Sequence, residues 1–397
     1  MTSRPTSSNA ASGGENRRET LAPFRVDWDH HLVFTRDALE AGNPILRDAI
    51  RGEDANAADR GLIAVIDDGV TRTNPGFSDR LRSHLEGNDL PELREVLEIE
   101  GGEACKNHDD AVESVLRSID VNHICRKSTV LVIGGGAVLD AAGYAAATAH
   151  RGVRLVRMPS TVLSQCDSGV GVKNGINRFD KKNFIGTFAP PNAVVCDYDL
   201  LRSLSDRDWT SGLSEIVKIA MLKDPALFET IERDAERIRN REDQPSHEII
   251  ARSAELHLRH ITDGGDPFEL QEARPLDFGH WSAHKLEQMT GFELPHGEAV
   301  SIGIALDMVY SELTGIADPE LSRRTLEVLE AINLPTSCPA LERRDELIAG
   351  IEEFREHLGG RLTISLVREL GEQVDIHDVD AAMLEKAITI LLDRSAS

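Results

Sequence analysis

Three short segments of this 397-residue chain carry side chains able to hold a metal or move a proton. In SGLSEIVK, Glu215 and Lys218 stand three residues apart and so share one face of an otherwise apolar helix. The same spacing also fits an ordinary intrahelical ion pair on a solvated face. In DFGHWSAHKLE, His280 and His284 stand four apart, stacked on one face, which suits metal binding, acid–base work or a purely structural pair. In PHGEAV, His296 sits at a helix start, where a capping or core histidine is the plainer alternative. Together, one carboxylate and two histidines from three segments would make a Glu-His-His set with a position left open for substrate, as catalytic zinc sites have.

A second concentration of chemistry runs from Ser128 to Asn183. The β-branched run Val130 to Ile133 stops at Gly134-Gly135-Gly136, and an Ala-rich segment follows from Ala137, so the stretch reads as buried strand, tight turn and helix. A helix start offers free N–H groups and the positive end of its dipole, and glycines admit a phosphate to the backbone, so this junction suits a pyrophosphate. Leu155 to Met158 then leads into Pro159-Ser160-Thr161. Asp167, Lys173, Lys181, Lys182 and Asn183 follow, threaded through Gly169, Gly171 and Gly175. Charge at this density in a glycine-rich stretch serves a site better than a core. Upstream, GLIAVI at 61–66 ends in Asp67-Asp68-Gly69, and an acid at the C-terminal end of a parallel strand commonly holds a ribose hydroxyl.

These groups need a scaffold. Alternation over 24–34 and apolar segments at 61–66, 129–133, 154–158 and 193–197 predict strands. They alternate with a helix-like segment ending near Arg51 and helices near 77–87 and 109–120, with the segment Leu97-Glu98-Ile99-Glu100 before Gly101-Gly102-Glu103 continuing the alternation. The expectation is an α/β domain over 24–200 with a mostly parallel sheet. Beyond Leu201, helical periodicities cover 206–222, 226–239, 246–262, 279–290, 298–314, 318–332, 343–357 and 379–394, with one extended piece at Leu362 to Val367. A mainly helical domain over 201–397 is expected, and the polar residues 1–23 read as a disordered tail.

Composition narrows the partners. Forty-four Lys and Arg against 68 Asp and Glu give a formal charge of −24, which excludes a basic face for nucleic acid. The five cysteines are scattered, odd in number and without CxxC spacing, so reduced thiols in a cytoplasm are expected. No apolar run approaches a membrane span and no secretory hydrophobic region opens the chain, so the expected setting is soluble and cytoplasmic.

With its motifs GGGAVLDAAG, RGVRLVRMPSTVLSQCDSGVGVKNGIN, KKNFIGTF, SGLSEIVK, FGHWSAHKLE and HGEAV together and in order, the chain resembles the 3-dehydroquinate synthase-like sugar-phosphate cyclases from about Asp67 to Gly371. The resemblance implies an N-terminal NAD-binding domain and a C-terminal metal domain. By position, Glu215, His280 and His296 resemble ligands of Zn²⁺ or Co²⁺. Asp167, Lys173, Lys182, Asn183, Lys218 and His284 resemble substrate-binding and proton-transfer groups. For NAD, the matching positions are Asp67, Glu103, Lys106, Gly135, Gly136, Asp140, Ser160 and Thr161. Arg151 resembles a phosphate-binding arginine inserted from a neighbouring subunit, which implies a homodimer.

The implied reaction oxidises a ring carbinol transiently, eliminates phosphate, returns the hydride and closes a carbocycle by an intramolecular aldol step, so that NAD is recycled. Departures from the dehydroquinate synthase pattern fall at substrate-facing positions. Asp277 stands for Asn, Val172-Lys173-Asn174 for Gly-Lys-Thr, Arg259 for Lys, and Phe354-Arg355-Glu356 for Asp-Lys-Lys. A usual Arg is replaced by Ala273 with Arg274 beside it. The resemblance therefore implies a heptulose 7-phosphate substrate, either 3-deoxy-arabino-heptulosonate 7-phosphate or the carboxylate-free sedoheptulose 7-phosphate, in the latter case within a non-shikimate branch. The alternative is a metal-dependent polyol dehydrogenase of the glycerol dehydrogenase kind, which would accumulate NADH. The KKN segment and the many cations suited to phosphate argue against it.

Overall fold

The structure is a computed structural model that describes residues 20–22, 26–87, 89–179, 181–264, 268, 275–358 and 360–395. The expected tail at 1–23 lies outside these residues except for 20–22, which are exposed. Among the described residues, no helix is long and apolar enough to cross a membrane.

Six strands form one parallel sheet: β1 (His31–Thr35), β2 (Gly61–Asp67), β3 (Glu92–Ile99), β4 (Thr129–Gly134), β5 (Arg154–Pro159) and β8 (Ala193–Asp197), in the order β1-β8-β5-β4-β2-β3. β2, β4 and β8 are buried throughout, which is why their sequences are unbroken apolar runs. The register pairs Ile66 with Ile133 and Gly134 with Pro159, so three strand ends meet at the carboxyl edge of the sheet, where open parallel sheets bind ligands. Helices α1 (Ile45–Arg51), α2 (Asp68–Thr73), α3 (Phe77–Leu85), α4 (Asp110–Val121) and α5 (Gly136–Thr148) fill the crossovers. Between β5 and β8 lies an antiparallel hairpin of β6 (Lys173–Arg178) and β7 (Lys181–Phe188).

Of the expected first strand at 24–34, residues 24 and 25 lie outside the described residues, 26–30 are not in a strand and the rest falls in β1, while the helix-like segment after it shrinks to α1. Asn43 and Pro44 are the reason. The Asn43 amide donates to Thr35 Oγ1 and to the Arg36 carbonyl, its oxygen accepts from the Ile45 N–H, and Pro44 caps the helix. The short segment at 97–100 proves to be the end of β3, whose alternating charges hide its length.

The second half holds α6 (Asp206–Lys223), α7 (Pro225–Arg239), α8 (Asp243–Asp263), α9 (His280–Met289), α10 (His296–Leu313), α11 (Pro319–Ala331), α12 (Arg344–His357) and α13 (Ala381–Ser395). The expected extended piece is β9 (Ile364–Glu369), and it pairs with an unanticipated β10 (Glu372–Ile376). Local chemistry starts these helices. Ser205 accepts from the Asp208 N–H, while Asp224 and Asp318 cap α7 and α11, each with proline following at the first helical position.

α6 and α10 form the centre. Every residue from Trp209 to Leu222 and from Ala299 to Ser311 is buried. The helices meet through glycine: a Cβ on Gly297 would lie 1.8 Å from the Ser211 carbonyl oxygen of α6, and one on Gly303 would lie 1.9 Å from the Gly279 carbonyl oxygen preceding α9. Gly297→Ala must therefore push α10 off α6, and we expect a loss of about 1–3 kcal/mol in chemical denaturation. A melt unchanged from wild type would show that the helices separate freely.

Candidate active site

The burial of α6 decides between the two readings of Glu215 and Lys218. Their side chains are 1% and 4% exposed, so the pair does not lie on a solvated face. Lys218 Nζ abuts Glu215 Oε2, yet neither carboxylate oxygen has a partner of good hydrogen-bond geometry. Facing Oε1 are His280 Nε2 at 3.4 Å and His296 Nε2 at 3.5 Å. The His280 Nδ1 lies 3.1 Å from the Phe278 carbonyl, and donation there would leave the Nε2 lone pair for a metal ion beside Glu215. Around a divalent ion with bonds of ~2.0–2.1 Å, neighbouring tetrahedral ligands lie about 3.4 Å apart, so the donor types and spacings fit zinc-like coordination.

Electrostatics agree. Burial alone would raise the Glu215 carboxyl, but Lys218 and the two imidazoles hold it well below the usual range. Burial would lower His296, but the Glu287 and Glu215 carboxylates outweigh it and hold the ring up at about 10. A bound cation would take the place of that proton. His284 is exposed on the open side of the triad, and the packed groups beneath it together with the His280 and His296 imidazoles push it down, toward the neutral form. His284, Glu287 and His296 also converge. That second group is less suited to an ion, because Glu287 already holds Lys182 at 2.7 Å.

Around Lys218 gather Asp167 and Asp277, whose charges, with that of Glu215, raise its ammonium against burial. Asp167 lies in a single π-helical turn, Ser164–Ser168, with Oδ1 2.9 Å from His257 Nδ1. That turn is held from below by Arg157, which is wholly buried and donates to the carbonyls of Gly169, Gly171 and Lys173 and to Asn174 Oδ1. Across the cleft, Lys106 joins Asp140 at 2.7 Å and contacts Asn183 Oδ1. Lys182 reaches Glu287 and lies 3.8 Å from Glu103. Lys173 is exposed at the start of β6.

At the sheet edge, α5 begins at Gly136 with no side-chain cap, leaving N–H groups for a ligand. Asp67 spends its oxygens on the Gly69 and Gly135 amides, at 2.8 and 3.3 Å. It also lines a cavity of about 310 Å³ with Asp68, Arg72, Glu100, Gly101 and Gly102. Ser160 and Thr161 follow β5 directly, and the Ser160 N–H donates to the Gly134 carbonyl. This edge fits a dinucleotide: uncapped amides beside glycines, with acids at the neighbouring strand end.

Three sequence expectations require comment. Arg259 is exposed on α8, and the structure puts His257, two residues and ~200° around the helix, against Asp167 instead. Arg274 and Ala273 lie outside the described residues. Arg151 is exposed in the turn after α5, about 20 Å along that helix from its N-terminus, so it does not join this cleft within one chain. His257, Glu287 and Arg157 were not singled out from the sequence. The E-L-H spacing before α9 and the helical position of Glu287, seven after His280, were the available signals.

Arg157→Met should leave its acceptors without partners in a dry interior, lowering stability by about 2–4 kcal/mol in chemical denaturation. A loss below about 0.5 kcal/mol would mean that water reaches the π-turn.

The chain matches the family models described as 3-dehydroquinate synthase N-terminal, over residues 96–211, and 3-dehydroquinate synthase C-terminal, over 212–353. It is 31% identical to 2-epi-5-epi-valiolone synthase of Streptomyces glaucescens over 381 residues, covering 94% of this chain and 93% of the relative. It is 35% identical to 3-dehydroquinate synthase of Halorhodospira halophila over 264 residues, 66% of this chain and 73% of the relative. Among solved structures, 2-epi-5-epi-valiolone synthase of Streptomyces hygroscopicus subsp. jinggangensis, with NAD⁺ and Zn²⁺ bound, superposes with a TM-score of 0.84 at 29% identity, covering 95% of this chain and 99% of that one. Sequence, fold and site geometry converge, and the chain belongs to the 3-dehydroquinate synthase family of sugar-phosphate cyclases.

Proposed function

We propose that this chain is an NAD- and divalent-metal-dependent cyclase that converts a heptulose 7-phosphate into a carbocycle with loss of phosphate. The observation that carries the reading is the buried Glu215–His280–His296 convergence, open toward His284 and facing a cleft lined with cations. When bound, NAD supplies reversible hydride acceptance, and Zn²⁺ or Co²⁺ supplies Lewis-acid polarisation of a substrate oxygen. The chain does the rest. Glu215, His280 and His296 hold the metal. Lys218, kept cationic by three carboxylates, stabilises negative charge developing on a ring oxygen. Neutral His284 is placed to exchange a proton at the metal side of the ring. Lys173, Lys182 and Asn183 bind phosphate and hydroxyl oxygens, with Asp167 orienting the ring. Asp67, Glu103, Lys106, Gly135, Gly136, Asp140, Ser160 and Thr161 hold NAD.

The working unit in this reading has two domains, 24–200 and 201–397, and acts as a homodimer in which Arg151 serves the neighbouring subunit's site. Arg151 favours this because it stands far from its own cleft, in a turn where His150 and Arg151 both have positive φ (52° and 64°). The proposed setting is the cytoplasm, where the five cysteines, all free, stay reduced.

Purified protein given NAD⁺, Zn²⁺ or Co²⁺ and each heptulose phosphate should release phosphate and form a product of cyclitol mass with no net NADH. Stoichiometric NADH would instead establish a polyol dehydrogenase. In the same assay, Glu215→Ala, His280→Ala and His296→Ala should lose metal by mass spectrometry together with turnover. His284→Ala should keep its metal and slow by ~10²–10⁴-fold. Loss of metal from His284→Ala with retention in His296→Ala would rebuild the site around the His280–His284 pair.

Asp277 favours a substrate whose C1 end is uncharged. Two unit charges ~4 Å apart at an effective dielectric of ~20 repel by about 4 kcal/mol. Sedoheptulose 7-phosphate should therefore outcompete 3-deoxy-arabino-heptulosonate 7-phosphate, and Asp277→Asn should shift the kcat/KM ratio toward the carboxylate by about tenfold or more. Equal turnover of both substrates by the wild type would overturn this.

A further inference from the structure

The proposed metal and phosphate groups meet at one side chain that neither role requires. Glu287 lies on α9 with its side chain 2% exposed. Its Oε1 accepts from Lys182 Nζ at 2.7 Å, across 105 residues of sequence. Its Oε2 lies 3.4 Å from His296 Nδ1, short of a good hydrogen bond, and is otherwise without a partner. Lys182 is itself shared: it stands 3.8 Å from Glu103 and 5.4 Å from the centre of the Phe292 ring.

We infer that Glu287 is a positioning residue that couples the two sides of the cleft, orienting His296 through Nδ1 and holding the Lys182 ammonium until an anionic ligand takes that ammonium away. This inference deepens the functional reading above and rests on it. A lysine ammonium is a compact charge with three donors, and a phosphate dianion competes for it better than a single carboxylate does. Once Lys182 turns to phosphate, Glu287 is a buried carboxylate whose remaining partner is His296. A shift of about 0.5 Å closes a normal hydrogen bond from His296 Nδ1–H to Oε2. Such a bond fixes the tautomer with its lone pair on Nε2, the nitrogen facing Glu215, and makes that nitrogen a better ligand. Metal and phosphate should therefore strengthen each other's binding, and by linkage equally in both directions. Direct attraction between phosphate and metal would also give positive coupling, but it would not depend on Glu287.

The test is zinc affinity by chelator competition for wild type, Glu287→Gln and Lys182→Met, each with and without inorganic phosphate, with folding checked by circular dichroism. Wild type should bind zinc several-fold more tightly with phosphate present. Glu287→Gln should bind zinc ~10–100-fold more weakly and lose most of the phosphate effect. Lys182→Met should bind zinc at least as tightly as wild type, because its Glu287 is released, and should no longer respond to phosphate. A structural role alone would weaken both variants alike. Zinc affinity of Glu287→Gln within about threefold of wild type would overturn the inference. So would an undiminished phosphate effect in that variant, or a Lys182→Met protein weakened as much as Glu287→Gln. Should Glu287→Gln melt below the assay temperature, Lys182→Met decides: retained or tighter zinc supports the coupling, and weaker zinc overturns it. Wild type that shows these zinc responses but releases no phosphate from either heptulose phosphate would support the coupling and sink only the reaction. Normal phosphate release without the responses would sink the coupling alone.

Discussion

A carboxylate buried in the middle of a helix that is packed on every side is the constraint from which this molecule follows. Glu215 sits among apolar neighbours on α6 where water cannot solvate it, and an isolated charge there would cost several kcal/mol. Its partners must therefore come to it. One comes from the same helix, Lys218, and two come from α9 and α10, whose glycine contacts bring their backbones close enough for short imidazoles to reach. Replacing such a group of charges with well-packed apolar residues often leaves a protein as stable or more so, so its presence here points to chemistry.

The two halves of the cleft are built on different principles. The sheet edge offers backbone: uncapped amides at the start of α5 and strand ends brought level by register. The helical side offers ionised side chains, each restrained by a neighbour of opposite sign. A dinucleotide, whose central pyrophosphate can be held by backbone amides, suits the first. A small polyhydroxy phosphate, which has to be held at particular oxygens, suits the second.

Much of this was legible beforehand, for reasons that differ by residue. β2, β4 and β8 announced themselves because buried parallel strands are continuous apolar runs, and β5 did so in spite of Arg157. The eight C-terminal helices were readable from periodicity alone, with boundaries within three residues. The Glu-His-His set was visible as a combination, but nothing in the spacing could choose His280 over His284. Only Phe278, which turns His280 toward Glu215, makes that choice. β6 and β7 were hidden by the same glycines and lysines that marked the stretch as a site. His257 and Glu287 escaped because a histidine on an amphipathic helix and a glutamate amid charged neighbours resemble ordinary surface residues until their contacts are seen. β10 was invisible because its partner, β9, lies beyond a tight glycine turn with φ of 82°.

The glycine contacts among α6, α9 and α10 have one more consequence. Where helix backbones touch without side chains between them, no rotamer change can absorb a small displacement, and the helices are buried from Trp209 to Leu222 and from Ala299 to Ser311. β7, the outer strand of the β6–β7 hairpin, is the opposite case: among the described residues it pairs only with β6 and carries the exposed Phe184 and Phe188, while β6 is largely buried. Amide hydrogens in the helical trio should exchange with solvent only when the whole molecule opens, while those of β7 should exchange through brief local openings. The ligands of the proposed metal thus belong to the slowest-exchanging part of the protein, and Lys182 and Asn183 to one of the fastest.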